Sequence, residues 1–206
     1  MMMRKILFGL MAAAMVVAPA FAQDAERPKK KMPSSPRYFT SLKAATKEAQ
    51  KYDAPIFVAA VGKGTPAEEV VKDLTRHKFF KELAAKGFFV YTMRVGLSKK
   101  EKDIDGRSPK PLYDRLTADE RALLDVICPP DDKVRKLPLF GMVTPDAKEL
   151  KIKVVDMPRP PSPNAEYYGQ YLQNLQSAAQ AYGIDIEMSK AMVKYIENPP
   201  PEKKKK

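Results

Sequence analysis

A short, wholly apolar segment sets the strongest limit on how this chain can fold. Residues Pro55–Val61 read PIFVAAV, and Gly62 follows directly. A short apolar run bounded by proline and glycine is typical of a buried strand. Because no position in the run is polar, both of its faces must be covered, as in a sheet with helices on each side. The segment therefore predicts an α/β fold.

The rest of the core alternates between helical and strand patterns. Helices separate the first three predicted strands, which indicates crossover connections within one sheet. The last two strands are joined by a Pro145-Asp146 turn and should form an antiparallel hairpin. The expected fold class is α/β, a mixed four-stranded sheet with helices on both faces. The predicted elements are a helix over Tyr38–Tyr52 with Ser41 as N-cap, the strand Pro55–Val61, a helix from Thr65 to Gly87 that breaks near Thr75, the strand Phe88–Val95, a helix from Thr117 to about Ile127, the strands Pro138–Thr144 and Glu149–Val155, a helix over Ala165–Tyr182 and a short helix around Ser189–Ile196.

The N-terminus has the pattern of a secretory signal peptide. Arg4 and Lys5 precede the apolar run Ile6–Val17, and Ala20–Ala22 offers a small-x-small cleavage pattern before Gln23. The apolar run is shorter than the ~20 residues that a membrane-spanning helix needs. We therefore expect residues 1–22 to be removed and the mature chain to be periplasmic or secreted, without spanning a membrane.

Two polar, proline-rich segments flank the predicted domain, which covers residues 38–197. Gln23–Arg37 (QDAERPKKKMPSSPR) and Asn198–Lys206 (NPPPEKKKK) have too few apolar residues to form a core and are expected to be disordered. The chain has a formal net charge of +12, part of it in these tails. This distribution predicts weak, salt-sensitive attraction to anionic surfaces. No basic stripe interleaved with aromatic residues is present, so we do not expect nucleic-acid binding.

Four consecutive features carry a resemblance to a known family. They are KYDAPIFVAAV, the loop-to-helix junction after it, GFFVYTMRV, and KLPLFGMVTPDAKEL. Their order and spacing, over roughly Tyr38–Tyr182, resemble the thioredoxin-like family. The resemblance implies a thioredoxin-like three-layer sandwich. It also implies a cis peptide bond at Leu137-Pro138, since a cis-proline precedes the corresponding strand in that family.

The resemblance places the family's reactive cysteine pair near Thr65 and Glu68. Disulfide exchange needs one thiol held as a thiolate and a second to resolve the mixed disulfide, and neither residue carries a thiol. Residues 65–68 read Thr-Pro-Ala-Glu, a helix N-terminus pattern in which Thr65 and Glu68 cap each other's backbone N–H groups. The alternative is that this helix end, with Lys63 and its free N–H groups, holds an anion or a partner's carboxylate.

The same resemblance implies a groove between the Gly62–Pro66 loop and the Leu137-Pro138 turn. In active relatives this groove holds extended polypeptide, and main-chain pairing of that kind needs no cysteine. We therefore expect a non-catalytic protein- or peptide-binding or structural module, whose partner is an extended peptide or another envelope protein. The residues assigned to the groove are Gly62, Lys63, Gly64, Thr65, Glu68, Leu137 and Pro138.

Cys128, the only cysteine, supports a second hypothesis. A single thiol cannot form an internal bridge, but it could act with a partner thiol in a thiol-disulfide or peroxide-handling protein. Its predicted helix also carries Leu123, Leu124 and Ile127, which favours a buried, apolar position for the thiol.

No pattern indicates a metal or a cofactor. His77 is the only histidine, and no His/Cys/Asp cluster has the spacing of metal ligands. The segment DIDGRS (Asp103–Ser108) lacks the later ligands of a calcium loop, and VGKGT lacks the spacing of a phosphate-binding loop. With no catalytic constellation either, the residues favour a non-enzymatic role.

Overall fold

Helices and strands alternate along the chain in the order that the sequence predicts. The computed structural model describes residues 31–96, 116–128, 137–152 and 165–200 of the 206-residue chain. The predicted signal peptide and the DIDGRS segment lie outside the described residues, as do the end of the predicted strand Glu149–Val155 and most of the lysine-rich tail. The strands are β1 (Tyr38–Phe39), β2 (Ile56–Gly62), β3 (Phe89–Val95), β4 (Leu139–Val143) and β5 (Leu150–Ile152), and the helices are α1 (Leu42–Tyr52), α2 (Pro66–Arg76), α3 (Lys78–Gly87), α4 (Ala118–Ile127), α5 (Ala165–Ala181) and α6 (Lys190–Glu197).

The strands form one mixed sheet in the spatial order β1-β3-β2-β4-β5. Strand β3 pairs in parallel with β1 and β2, whereas β4 runs antiparallel to both β2 and β5. The α/β class, the mixed sheet and the antiparallel pairing of the last two strands are confirmed, and the four predicted strands are β2 to β5.

The short strand β1, which the sequence did not predict, adds to the sheet at its edge, ahead of the predicted N-cap Ser41. Tyr38 and Phe39 pair with β3, and the Phe39 ring packs edge-on against Phe89 with centroids 6.0 Å apart. Helix α1 begins only at Leu42. Ser41 occupies the predicted N-cap position, although its side chain makes no cap hydrogen bond.

Strand β2 lies in the centre of the sheet, and all of its residues are buried. Successive side chains point to opposite faces of a strand. Phe57 and its alternate residues pack against α2, α3, α5 and α6, whereas Ile56 and its alternates pack with α1 and α4. The prediction that Pro55–Val61 is a strand covered by helices on both sides is confirmed.

The break in the second predicted helix lies at His77, close to the predicted position at Thr75. His77 has extended backbone angles, with φ −61° and ψ 133°, and separates α2 from α3. The Thr75 hydroxyl still donates to the Val71 carbonyl oxygen at 2.9 Å, as a residue inside a helix does.

The end of the segment predicted to be a linker, Gln23–Arg37, contacts the domain. Met32 packs against the core on the α1 and α4 side of the sheet. The Val90 N–H donates to the Arg37 carbonyl oxygen at 3.1 Å, and the Arg37 side chain pairs with Glu48 on α1. Within the described residues, none of the helices has the length and apolar character that crossing a membrane would need.

Candidate functional site

The loop between β2 and α2 lies where the sequence placed the family's reactive pair. Gly62 at the end of β2 is buried, whereas Lys63 and Gly64 at the loop tip are exposed. Gly64 has a φ of 74°, a left-handed conformation that glycine adopts without the steric cost of a Cβ. Pro66 opens α2 at a position that needs no N–H donor. The chain therefore passes from the central strand into a helix through a loop of only three residues, 63–65.

Thr65 closes this loop onto the end of β2. Its hydroxyl donates to the Gly62 carbonyl oxygen at 2.7 Å, and its N–H points to the same oxygen at 3.3 Å. Thr65 does occupy the N-cap position of α2, but its side chain makes no cap hydrogen bond. The predicted reciprocal cap between Thr65 and Glu68 is therefore wrong, because the hydroxyl serves as donor to a carbonyl instead of acceptor from the helix.

Glu68 is a buried carboxylate that connects the loop to strand β3. Its side chain is 9% exposed. Its Oε2 accepts from the Gly64 N–H at 2.8 Å, and its Oε1 lies 3.1 Å from Arg94 Nε and 3.0 Å from Arg94 Nη2. Burial by itself would raise the pKa of Glu68, but the Gly64 hydrogen bond and the Arg94 charge outweigh it and lower the pKa below its ordinary value.

The Glu68 carboxylate already places a negative charge in the first turn of α2. The N-terminus of a helix attracts negative charge through its free N–H groups and its dipole. Here Glu68 already accepts the Gly64 N–H and neutralises Arg94. Thr65 and Glu68 are both buried, and both bond to protein groups. This geometry favours a structural role over the alternative of an external anion.

The sequence did not identify Arg94 as part of this site. Arg94 lies beside Val61 in the sheet, at the penultimate position of β3, and its side chain is 49% exposed. A charged residue in a largely buried strand was the available signal, because such a group needs a partner. Nothing in the spacing, however, indicates a carboxylate 26 residues earlier as that partner.

The second half of the predicted groove starts at the peptide bond Leu137-Pro138, which is cis as predicted. Ala60 pairs with Leu139, so extending the antiparallel register by one residue places Pro138 beside Val61. The β2–α2 loop and this turn therefore lie at the same end of two neighbouring strands. The Leu137 side chain, only 3% exposed, belongs to the core on the α1 and α4 face. It therefore contributes to packing and does not line an open groove.

Cys128 lies at the C-terminal end of α4, outside this site. The residue is half-buried and packs against the core on the α1 and α4 face. Its N–H donates to the Leu124 carbonyl oxygen at 2.9 Å, in the C-cap position of the helix. The predicted apolar surroundings are present, and the residue as a whole is only partly buried.

The N-terminus of α4 carries the reciprocal cap that α2 lacks. Thr117 Oγ1 accepts from the Glu120 N–H at 3.2 Å, and Glu120 Oε2 accepts from the Thr117 N–H at 2.9 Å. The buried Tyr91 hydroxyl donates to Glu120 Oε1 at 2.7 Å. Burial and the negative charge of Glu120 raise the pKa of Tyr91 far above its ordinary value, so the hydroxyl remains a donor. This contact fixes α4 to the sheet.

No group of three or more metal-binding side chains occurs in the part of the chain that the structure describes. Neither protein-family models nor curated proteins give a match to this chain. The interpretation of the site therefore depends on its own geometry.

Proposed function

We propose that this protein is an exported, non-catalytic binding module with a thioredoxin-like arrangement of strands and helices. One observation carries the proposal. The position of the reactive pair holds Thr65 and Glu68, which are buried and bonded to groups of the protein itself. Neither side chain can form a thiolate, and neither is free to meet a substrate. The loop therefore has a structural role, and binding belongs to the exposed surface around it.

The architecture supports the thioredoxin-like part of the proposal. Helical crossovers connect the parallel strands β1, β2 and β3, and β4 returns antiparallel beside the central strand. Apart from β1, this is the arrangement that the resemblance of residues 38–182 implies.

The binding surface is proposed to surround the loop tip. Lys63 and Gly64 are exposed there, and the end of β2 lies beside the start of β4. An extended segment of another envelope protein is the proposed partner, because strand ends and loop backbone offer main-chain groups for pairing. Lys63 adds a positive charge, which favours a partner with acidic residues near the paired segment.

Site-specific photocrosslinking in the native cell envelope tests the binding role. A benzophenone amino acid replaces Lys63 at the loop tip in one variant and Lys47, exposed on α1, in a matched control. We expect one defined product, with the same partner peptide, from position 63 and not from position 47. The same products from both positions, or none from position 63, would contradict the proposal.

The absence of redox chemistry is tested separately on the purified mature protein. We expect no reduction of insulin disulfides, because one thiol leaves no resolving step. Turnover that persists in Cys128→Ser would refute the interpretation of the β2–α2 loop. Turnover that disappears in that variant would favour the second hypothesis, a protein that acts through Cys128 with a partner thiol.

The accessibility of Cys128 decides between these two hypotheses directly. Because the thiol is half-buried against apolar residues, we expect slow reaction with a thiol probe in native buffer and fast reaction in urea. Fast native labelling, or a dimer that disappears with reductant, would favour thiol chemistry.

Export is tested by N-terminal sequencing of the protein recovered from the cell envelope or the medium. A mature chain that begins at Gln23 is the expected result. Recovery of the uncleaved chain from the cytoplasm would contradict this part of the proposal.

A further inference from the structure

His77 lies inside a cluster of aromatic rings contributed by three helices. It occupies the junction between α2 and α3. The Tyr168 ring of α5 stacks on the imidazole with centroids 5.0 Å apart and planes 11° apart. The Tyr195 ring of α6 lies 5.4 Å away, and the Phe79 ring of α3 lies 5.6 Å away. This imidazole therefore connects the helix junction to the two C-terminal helices.

The imidazole has a buried nitrogen with no hydrogen-bond partner. His77 Nδ1 is inaccessible to solvent, and no described residue bonds to it. A neutral imidazole can leave one nitrogen unprotonated, whereas the charged form carries an N–H on both nitrogens. In this cluster the second N–H would be a buried donor without an acceptor, which is unfavourable.

The charged groups around the cluster do not compensate for a proton on His77. Lys78 from α3 follows directly in the chain, and its Nζ lies 4.5 Å from the Phe79 ring centre. Burial first, and then the Lys78 charge, lower the pKa of His77 below its ordinary value. The other facing groups are the Tyr168 and Tyr195 hydroxyls, whose pKa values burial raises, and Asp73 of α2, which acts on Tyr168.

Helix α6 contacts this cluster through Tyr195. It is only 8 residues long, and isolated helices of that length are unstable in water. Met192 is fully buried on its inner face. Ile196 packs against the same core beside Gly169 of α5. At the start of the helix, the Ser189 hydroxyl accepts from the Met192 N–H at 3.2 Å and donates to Glu82 at 3.0 Å.

We propose that His77 is a pH-sensitive latch: the neutral imidazole holds α6 against the domain, and proton uptake releases this helix. The neutral ring stacks on Tyr168 and Tyr195 at little cost. The charged ring lacks an acceptor for its buried N–H and lies next to Lys78, so it is better accommodated in water. Release would expose Met192 and the aromatic rings beneath it, and the latch is independent of any partner at the β2–α2 loop.

The direction of the pH effect follows from proton linkage. With α6 released, Tyr195 no longer covers His77, so the burial that lowers its pKa decreases and the pKa rises towards the ordinary value of 6.5. The released form therefore binds the proton more tightly than the closed form. Attachment of α6 is complete above pH 6.5, weakens as the pH falls below it, and stops weakening once the pH lies below the pKa of the closed form.

The chain has a single histidine, so its imidazole gives one unambiguous NMR signal in untagged protein. We expect that signal to titrate below pH 6.5. In parallel, amide exchange is measured between about pH 7.5 and about pH 5, the range in which histidine titrates. The protection factors of Val193 and Tyr195 on α6 should fall severalfold, whereas those of Val58 in β2 should not change. A titration at or above the ordinary value, or α6 protection that does not depend on pH, would overturn the proposal.

His77→Phe is the matched control, because phenylalanine keeps an aromatic ring in the cluster but cannot take up a proton. We expect α6 protection in this variant to be independent of pH. If the protection factors of α6 fell with pH in this variant as much as in the unmodified protein, the effect would belong to another group and the proposal would be overturned. If the variant does not fold, the imidazole titration and the exchange data of the unmodified protein still decide the question.

Discussion

Replacing Glu68 by glutamine tests whether a buried charge holds the β2–α2 loop. The substitution keeps the length of the side chain and removes the negative charge that the Gly64 N–H and Arg94 share. Glutamine can still accept one hydrogen bond, but it cannot neutralise the guanidinium group, and its NH₂ group faces other donors. We therefore expect Glu68→Gln to lower the free energy of unfolding.

The size of the loss follows from how far each partner is buried. Breaking a fully buried ion pair costs about 3–5 kcal/mol, whereas exposed pairs contribute about 0–1 kcal/mol. The Glu68 side chain is 9% exposed, but that of Arg94 is 49% exposed and can regain water in the variant. The expected loss therefore lies between these limits, at about 2 kcal/mol, which is also typical of hydrogen bonds to charged groups.

Urea unfolding followed by far-ultraviolet circular dichroism measures the loss, since the chain has no tryptophan for fluorescence. The midpoint should fall while the slope of the transition stays constant, as for a change in stability alone. Glu69→Gln is the matched control. Glu69 is the next residue on α2, its side chain is 66% exposed, and its pair with Lys72 lies on the surface. Glu69→Gln should change the free energy of unfolding by no more than about 0.5 kcal/mol.

If Glu68→Gln and Glu69→Gln lowered the free energy of unfolding by the same amount, this account of the loop would be refuted. The pH dependence gives a second check. The folded pKa of Glu68 is lowered, so the contribution of its charge is present above the ordinary value of 4.5 and is lost as the pH falls through the folded pKa. The difference in the free energy of unfolding between the unmodified protein and Glu68→Gln should therefore become smaller only below pH 4.5. A difference that already narrows near neutral pH would assign the effect to another group.

Three further substitutions, the first with a control substitution, test contacts elsewhere in the fold by the same urea assay. Thr117→Ala removes the reciprocal cap of α4 and should cost about 1 kcal/mol, whereas Ser41→Ala, at a cap position without a side-chain hydrogen bond, should have little effect; equal losses would contradict the assignment of the caps. Tyr91→Phe removes the 2.7 Å hydrogen bond to the Glu120 carboxylate and should cost about 1–2 kcal/mol, so unchanged stability would show that this bond does not fix α4. Gly141→Ala would place a Cβ 2.7 Å from a methyl group of α4. Its expected cost is about 1–3 kcal/mol from overpacking, and a neutral result would show that α4 can shift.

The parts of the fold that could be predicted are those whose pattern has one physical solution. Strand β2 is such a case, because its apolar run is too short for a typical helix, is bounded by proline and glycine, and needs cover on both faces. Strand β1 could not be predicted in the same way. Tyr38 and Phe39 are too few residues to show a period of two, and they directly precede a strong helical pattern. Their pairing with β3 depends on a neighbour that lies far away in the sequence.

The two Thr-x-x-Glu sequences show the same limit at the level of single hydrogen bonds. Both start a helix as predicted, at Thr65 and at Thr117. At the start of α4 the Tyr91 hydroxyl bonds to Glu120 Oε1 and leaves Oε2 for the Thr117 N–H, so Thr117 and Glu120 cap each other. At the buried start of α2 the Thr65 hydroxyl donates to the Gly62 carbonyl oxygen instead, and the Glu68 carboxylate accepts from Arg94. The local pattern therefore determines that a helix begins, whereas the neighbours of each end determine which groups satisfy it. The same neighbours bury Thr65 and Glu68, at the positions where the resemblance places the family's reactive pair.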